Sequence, residues 1–162
     1  MENIKFYEIH AAYIDYLAVY APHLFRNRQE AQTHERKYIG VVLRVEGHDY
    51  FAPLSSFKPK HQRTKEGLDF IKVRRYAVIN LNNMFPAPLG VCSYVDFSIV
   101  KDARYKALLL AEYRFIKSIQ EKLRKNAAVL YKHKLANGNS TPLSRRCNDF
   151  SLLEAACAKY TP

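Results

Sequence analysis

The sequence predicts an α+β fold: a single compact domain in which a strongly twisted, mainly antiparallel sheet carries flanking helices. Three observations lead there. The chain has 162 residues, enough for one self-sufficient core and short for two. Residues 1–100 read as a strand, one early helix and then five strands, without the strand–helix alternation that builds a parallel sheet. From Asp102 onward the hydrophobic period becomes helical, and such amphipathic helices need a sheet to cover. Residues 101–162 are therefore expected to pack on the sheet of residues 1–100, within one domain spanning 1–162.

The elements follow in order. Met1–Ile9 carries the β-formers Ile4, Phe6 and Tyr7 and reads as a first strand. In His10–Tyr20, Tyr13, Ile14, Tyr16, Leu17 and Tyr20 fall at helical spacing, and Pro22 ends the helix. Residues 22–36 are polar and aperiodic, as a loop is. Lys37–Glu46 is the strongest strand pattern, Gly47-His48 a turn signal, and His48–Leu54 its hairpin partner. Ser55–Glu66 is basic and broken by Pro59, unlike a central strand. Leu68–Val73 and Tyr76–Leu81 are short strands joined through Arg74-Arg75, Asn82–Gly90 is a loop, and Val91–Val100 a last strand. Tyr105, Leu108, Leu109, Phe115, Ile116, Ile119 and Leu123 form a helical stripe interrupted once by Glu112. A bend is expected near Lys125-Asn126, and Asn137-Gly138-Asn139 stops the helix. Thr141–Arg146 reads as loop. Asp149 is placed to N-cap a final helix over 150–159, with Leu152, Leu153, Ala156 and Cys157 inward.

Composition narrows the function. At 48% hydrophobic the chain is too apolar to be wholly disordered. Its apolar runs all fall short of the ~18 residues a membrane span needs. Met1–His10 lacks a basic region followed by a long apolar run, so no signal peptide is expected. Cys92, Cys147 and Cys157 are odd in number and widely spaced; they read as ordinary thiols of a reducing cytoplasm. The net charge of +11 is concentrated. Residues 26–75 hold 12 Lys and Arg against 6 Asp and Glu, and residues 101–146 hold 12 against 3. Two such blocks suit a polyanion such as nucleic acid.

Most familiar catalytic motifs are missing. Five scattered Gly make no phosphate loop, and HExxH, CxxC and a nucleophile elbow do not occur. Scarce carboxylates argue against a two-metal nuclease, and neither metal nor cofactor is expected. The informative run is Ala52-Pro53-Leu54-Ser55-Ser56-Phe57-Lys58-Pro59-Lys60-His61, where two hydroxyls precede two Lys and a His at a strand end. Hydroxyls and ammoniums without a competing carboxylate suit a phosphate. RNA supplies its own nucleophile in the 2′-hydroxyl, so donors that stabilise the charged phosphorane, with Ser, Lys, Tyr or His to move protons, are chemically sufficient. The same run also fits a plain exposed basic loop. Nothing in the spacing alone brings Tyr13 or Arg36 to Ser56.

Several segments together resemble a known family: Phe6-Tyr7; Tyr13-Ile14 with Tyr16-Leu17; Arg36-x-Tyr38-Ile39-Gly40-Val41-Val42-Leu43; Gly47-His48-x-Tyr50; the Ala52–His61 run; and Asn148-x-Phe150-x-Leu152-Leu153-Glu154. The chain is similar along nearly its whole length to the endoribonuclease toxins of type III toxin–antitoxin systems, the ToxN/AbiQ family. The resemblance implies a barrel-like RNase-toxin fold and metal-independent RNA cleavage that leaves a 2′,3′-cyclic phosphate. It implies a noncoding RNA antitoxin, a repeat-derived pseudoknot that the toxin processes and that then inhibits it in closed multi-copy assemblies, and a role in phage defence by abortive infection. No protein antitoxin is implied.

Carried over residue by residue, the family's catalytic groups match Ser56, Ser55, Lys58, Arg36 and Tyr13, and a recurring histidine matches His61. Phe57 and Lys37 each stand where relatives have Pro. Ser56 is expected to bond the scissile phosphate or shuttle a proton, Lys58 and Arg36 to stabilise the phosphorane, and Tyr13 to orient a base or the 2′-hydroxyl. Further RNA contacts are expected from Lys37, Lys60, His61, Arg63 and Lys65 in the first basic block and from Lys117, Lys122, Arg145 and Arg146 in the second. The rival reading is a non-catalytic RNA-binding or RNA-assembly protein. A transcription regulator fits less well, because no helix-turn-helix pattern is present.

Overall fold

A computed structural model of the protein describes residues 2–22, 24 and 34–162. The expected loop over 22–36 thus lies mostly outside the described residues. The strands are β1 (Lys5–Ile9), β2 (Tyr38–Val45), β3 (His48–Ser56), β4 (Phe70–Val73), β5 (Ala77–Asn80), β6 (Phe85–Pro86) and β7 (Cys92–Tyr94). The helices are α1 (Ala11–Ala18), α2 (Ala103–Ser118), α3 (Gln120–Asn137), α4 (Pro142–Arg146) and α5 (Phe150–Lys159). The sheet runs β4-β5-β3-β2-β1-β7, with β6 on β3, and every pairing is antiparallel.

β2 and β3 form the hairpin that organises the sheet. Glu46 (φ 48°) and Gly47 (φ 83°) make the two-residue turn, both in the left-handed conformation that matches strand twist. His48 is already in β3, paired with Val45. At Gly40 a side chain would enter the ring of Phe51, so this close crossing needs glycine. β3 alternates: Tyr50, Ala52 and Leu54 enter one core cluster, and Phe51 enters a second. The first cluster is filled by Leu109 and Ile116 of α2 and Leu123 and Leu130 of α3; the second holds Ile14 and Leu17 of α1 and Leu153 of α5. The sheet is therefore covered on both sides.

The structure departs from the sequence expectations at defined places. β3 continues through Ser55 and Ser56, which pair with Val78 and Ala77 of β5, so the two serines belong to a central strand. The strand expected over Val91–Val100 is only three residues long. There the Asp96 carboxylate accepts from the Ser98 N–H (2.9 Å) and hydroxyl (2.7 Å), which closes a 3₁₀ turn at Phe97–Ile99 instead of a ladder. The expected loop Asn82–Gly90 contains β6. The helical bend falls at Ile119 rather than Lys125. Gln120 then accepts from the Ile4 N–H (2.9 Å) and donates to Asn3 (2.9 Å), tying the break to the start of β1. The expected loop Thr141–Arg146 is α4, opened by a Thr141/Ser144 capping box with Pro142 in its first turn. Asp149 caps α5 as expected, but Leu152 is exposed because Phe150, Leu153 and Ala156 define the inward stripe.

Candidate active site

Register assembles the site. Tyr38 stands opposite Pro53, so continuing the antiparallel pairing two residues outward places Arg36 level with Ser55. The Leu54 N–H donates to the Lys37 carbonyl (3.0 Å), which keeps the two chains together there. The Arg36 guanidinium donates to the Ser55 hydroxyl at 2.6 Å and is 7% exposed. Burial lowers its pKa while Tyr38 opposes the shift; an arginine nonetheless stays charged. Ser56 ends β3, exposed, and its hydroxyl has no hydrogen bond among the described residues. Arg36, Ser55 and Ser56 open onto a cavity of about 350 Å³. Its other walls are His34, Glu35 and Lys37 before β2, Leu54 of β3, Tyr76 and Ala77 at β5, and Tyr105, Leu108, Leu109 and Glu112 of α2. The spacing of those four α2 residues is that of one helix face, so the stripe that packs on the sheet also walls the cavity.

Lys37 reaches the cavity but is held inward. Tyr7 pairs with Tyr38, which puts Glu8 level with Lys37. The Lys37 ammonium donates to the Glu8 carboxylate (2.8 Å) and the Glu35 carbonyl (3.1 Å) and lies 5.4 Å from the centre of the Tyr105 ring. Burial pulls its pKa down, but the Glu8 hydrogen bond and Tyr105 outweigh this and hold it above its usual value. Lys37, expected to contact RNA, is thus a cavity-lining cation that is already paired with Glu8. His34 stacks on Tyr105 with ring centres 3.7 Å apart.

The loop after Ser56 is organised by His61. Its Nδ1 accepts from the Lys58 N–H (2.8 Å), and its ring packs against Phe57 and Phe70. At 8% exposed, His61 closes a turn rather than offering itself to RNA. Burial, then Lys60, Lys58 and Lys72, lower its pKa, and the accepting Nδ1 puts the proton of the neutral ring on Nε2. Lys58, Lys60, Arg63 and Lys65 are exposed and do not wall the cavity.

Tyr13 is the largest correction. It is 0% exposed, in the second core cluster. Its hydroxyl donates to the Pro86 carbonyl (2.5 Å), and its ring meets Tyr160 edge-on. It packs under α5 rather than lining the cavity. The second basic block divides too. Lys117 and Arg145 are exposed, and Lys122 stands 4.0 Å from Glu66. Arg146 instead grips Asp69 through two bonds of 3.0 and 3.1 Å, Lys134 holds Asn139 and the Ser144 carbonyl, and Arg124 donates to the Val41 and Glu2 carbonyls. Glu112, by contrast, was legible only as a flaw in the helical stripe, and it lies 4% exposed in the cavity wall. Burial pushes its carboxyl up to about 7, against the pull of Lys37. Among the described residues no group of three His, Cys, Asp or Glu side chains could hold a metal ion, and no helix is long and apolar enough to cross a membrane.

Comparison with known proteins bears on this arrangement. Residues 5–158 match the family model for toxin ToxN of the type III toxin–antitoxin system. The chain is 31% identical to the Endoribonuclease ToxN of Bacillus thuringiensis subsp. kurstaki, over 98% of this chain and 85% of that protein. Among solved structures, it superposes with a TM-score of 0.83 at 29% identity, over 98% of both chains, on a type III system in which a non-coding RNA pseudoknot selectively inhibits the toxin. A second, from a bacterial antiviral system regulated by a processed non-coding RNA, gives a TM-score of 0.86 at 26% identity over 98% of this chain and 99% of that one.

Proposed function

The chain belongs to the ToxN family, the toxins of type III toxin–antitoxin systems, and from that premise we propose that it cleaves RNA at the cavity edge formed by Arg36, Ser55 and Ser56. The observation that carries this reading is the Arg36–Ser55 bond of 2.6 Å beside the unengaged Ser56 hydroxyl. A buried cation is thereby fixed next to a free donor, with no carboxylate bonded to either serine. Donors preorganised in this way stabilise charge as it develops, without reorganising during the reaction.

In the proposed reaction the 2′-oxygen attacks the adjacent phosphorus and loses its proton. The bond from phosphorus to the 5′-oxygen breaks, and that oxygen gains a proton. The products are a 2′,3′-cyclic phosphate and a 5′-hydroxyl. Ser56 donates to a non-bridging oxygen, the Arg36 guanidinium offsets the phosphorane charge, and Ser55 holds that guanidinium in place. Lys58 follows Ser56 by two residues and supplies a second, mobile cation. The chemistry needs no metal. The partner is a noncoding RNA antitoxin, a pseudoknot cut from a repeat precursor by the same site and retained there in a closed multi-copy assembly. The reaction takes place in the cytoplasm, in the setting of phage defence.

Ser56→Ala tests the reading, because an exposed strand-end hydroxyl is dispensable for folding. The variant should melt like the parent and still bind the antitoxin, yet lose RNA cleavage and growth arrest. A Ser56→Ala protein that cuts RNA at the parental rate would refute the assignment.

A further inference from the structure

We propose that the cavity beside Arg36, Ser55 and Ser56 is a nucleobase subsite, and that Glu112 is its specificity-determining residue, recognising the exocyclic amine of an adenine, cytosine or guanine and disfavouring uracil. The inference rests on reading the Arg36–Ser56 edge as the phosphate end of the site.

Glu112 occupies a core position of α2 that periodicity reserves for an apolar side chain. It is 4% exposed, walls the cavity, and is engaged by no hydrogen bond or ion pair among the described residues. The fully buried polar atoms without a partner among the described residues are Asn83 Oδ1 and Asn148 Oδ1, so the Glu112 carboxyl oxygens open to the cavity, where no protein donor fills them. The nearby cation does not satisfy them, because the Lys37 ammonium is already bonded to Glu8 and to the Glu35 carbonyl. A ligand that brings its own donors into the cavity would.

The surroundings define that ligand. Leu54, Leu108, Leu109 and Ala77 supply apolar walls, and Tyr76 stands 41% exposed at the cavity. The phosphate end and the carboxyl are separate parts of one cavity: Arg36 bonds to Ser55, whereas Glu112 shares its electrostatic environment with Lys37 and Tyr105. A planar, apolar-faced group with polar edges, linked to a phosphate, is a nucleotide base.

The edge chemistry then selects among bases. An ionised carboxylate accepts from the exocyclic amine of adenine or cytosine, and from both N1–H and the amine of guanine. A protonated carboxyl accepts from the amine and donates to the adjacent ring nitrogen of adenine or cytosine. Burial pushes Glu112 up to about 7, and the ionised form carries the discrimination, because a protonated carboxyl can also accept from the N3–H of uracil and donate to its neighbouring carbonyl. Uracil presents one N–H between two carbonyl oxygens, which repel a carboxylate.

The test is cleavage of an RNA pool randomised around a single cut, with the product ends sequenced. The parent should disfavour uracil by about 10- to 100-fold at one position flanking the cut, the discrimination that a well-placed pair of hydrogen bonds confers. Glu112→Ala should abolish the preference at that position and leave preferences elsewhere intact. Glu112→Gln, nearly isosteric and so a safeguard against misfolding, accepts from an amine and donates to a ring nitrogen. It also accepts from the N3–H of uracil and donates to the neighbouring carbonyl, so it should relieve the discrimination against uracil at that position. Tolerance of uracil at every position by the parent would overturn the proposal. So would an unchanged preference profile in both variants, or a uniform loss of rate with the profile intact, which would mark a structural or rate-only role. Ser56→Ala on the same pool separates the two readings: its continued cleavage would refute the phosphate site itself, whereas an unaltered Glu112 profile would refute only the base subsite.

Discussion

Residues 26–75 and 101–146 carry twelve Lys and Arg each, yet the fold uses the two blocks differently. In the first, the sheet draws Arg36 and Lys37 inward, to 7% and 8% exposure. Each is seated by the residue opposite it in register, Ser55 for Arg36 and Glu8 for Lys37. In the second, buried Lys134 and half-buried Arg124 serve the scaffold: Lys134 stitches α3 to α4, and Arg124 ties α3 to β2 and the start of the chain. Its remaining members, such as Lys117 and Lys122, stand in solvent. Fixed cations in a dry site can stabilise charge at one atom, while solvated cations attract a polyanion over a distance that salt controls. In the proposed reading, Arg36 of the first block serves the cutting of RNA and the solvated cations of the second serve to hold it.

The sharpest break of this comparison is Arg36→Ala. It should lower kcat/KM by roughly 10²–10³-fold, the range for loss of one preorganised donor to a developing oxyanion. Arg36→Lys should recover only part of the loss, since one guanidinium nitrogen, Nη1, donates to both Ser55 and the Leu54 carbonyl and a lone ammonium engaged in the same way lacks the further planar donors that a guanidinium keeps for a phosphate. Steady-state cleavage of a short RNA checks both. A drop below about threefold in Arg36→Ala would remove the distinction between the blocks.

Much of this architecture was legible in the sequence, and the rest was hidden for definable reasons. Local signals sufficed for the β2–β3 hairpin, for the Asp149 cap and for the stop at Gly138, whose φ is 57°. The Thr141-Pro142 start of α4 is a local cap signal inside a segment whose polar composition reads as loop. The bend at Ile119 was not locally encoded, because Gln120 answers to Asn3 and Ile4 across more than a hundred residues. The Arg36–Ser55 pair is likewise a product of register, invisible until Tyr38 is known to face Pro53. Tyr13 misled because a helical tyrosine stripe is the same pattern whether its hydroxyl ends in a site or, as here, on the Pro86 carbonyl. Glu112 was visible as an irregularity, but its meaning required the cavity.

Glu112 sharpens the contrast through stability. Its folded pKa is raised by burial from 4.5 to about 7, so the native state holds this proton more tightly than the unfolded chain does. The resulting stabilisation is full below pH 4.5 and is lost as pH rises through about 7. At 1.36 kcal/mol per pKa unit the loss approaches about 3 kcal/mol. Glu112→Gln removes the titrating group. Urea unfolding should therefore show the variant gaining on the parent by up to that amount between pH 4.5 and 7.5. A difference that stays flat with pH would mean that the carboxyl is solvated like the second block, not buried with the first.

The smallest expected effect belongs to the solvated side. Lys117 and Lys122 lie near the α2–α3 junction, where Lys122 meets Glu66 of the loop that follows Ser56, so an RNA seated at the cavity would have these cations within reach as it extends. Their charge reversal, Lys117→Glu with Lys122→Glu, should leave the melting temperature and the cleavage rate of saturating short RNA unchanged, because exposed ion pairs contribute little to stability. It should weaken binding of the antitoxin RNA several-fold at low salt and flatten the dependence of log K on log salt by roughly 0.7–0.9 for each phosphate contact removed. Titrations of the catalytically silent Ser56→Ala protein, with and without the reversals, isolate binding from cleavage. Parallel salt slopes would exclude these two lysines from the docking face; a rate loss without a slope change would assign them instead to the first block's chemistry, and the division of labour between holding and cutting would have to be redrawn.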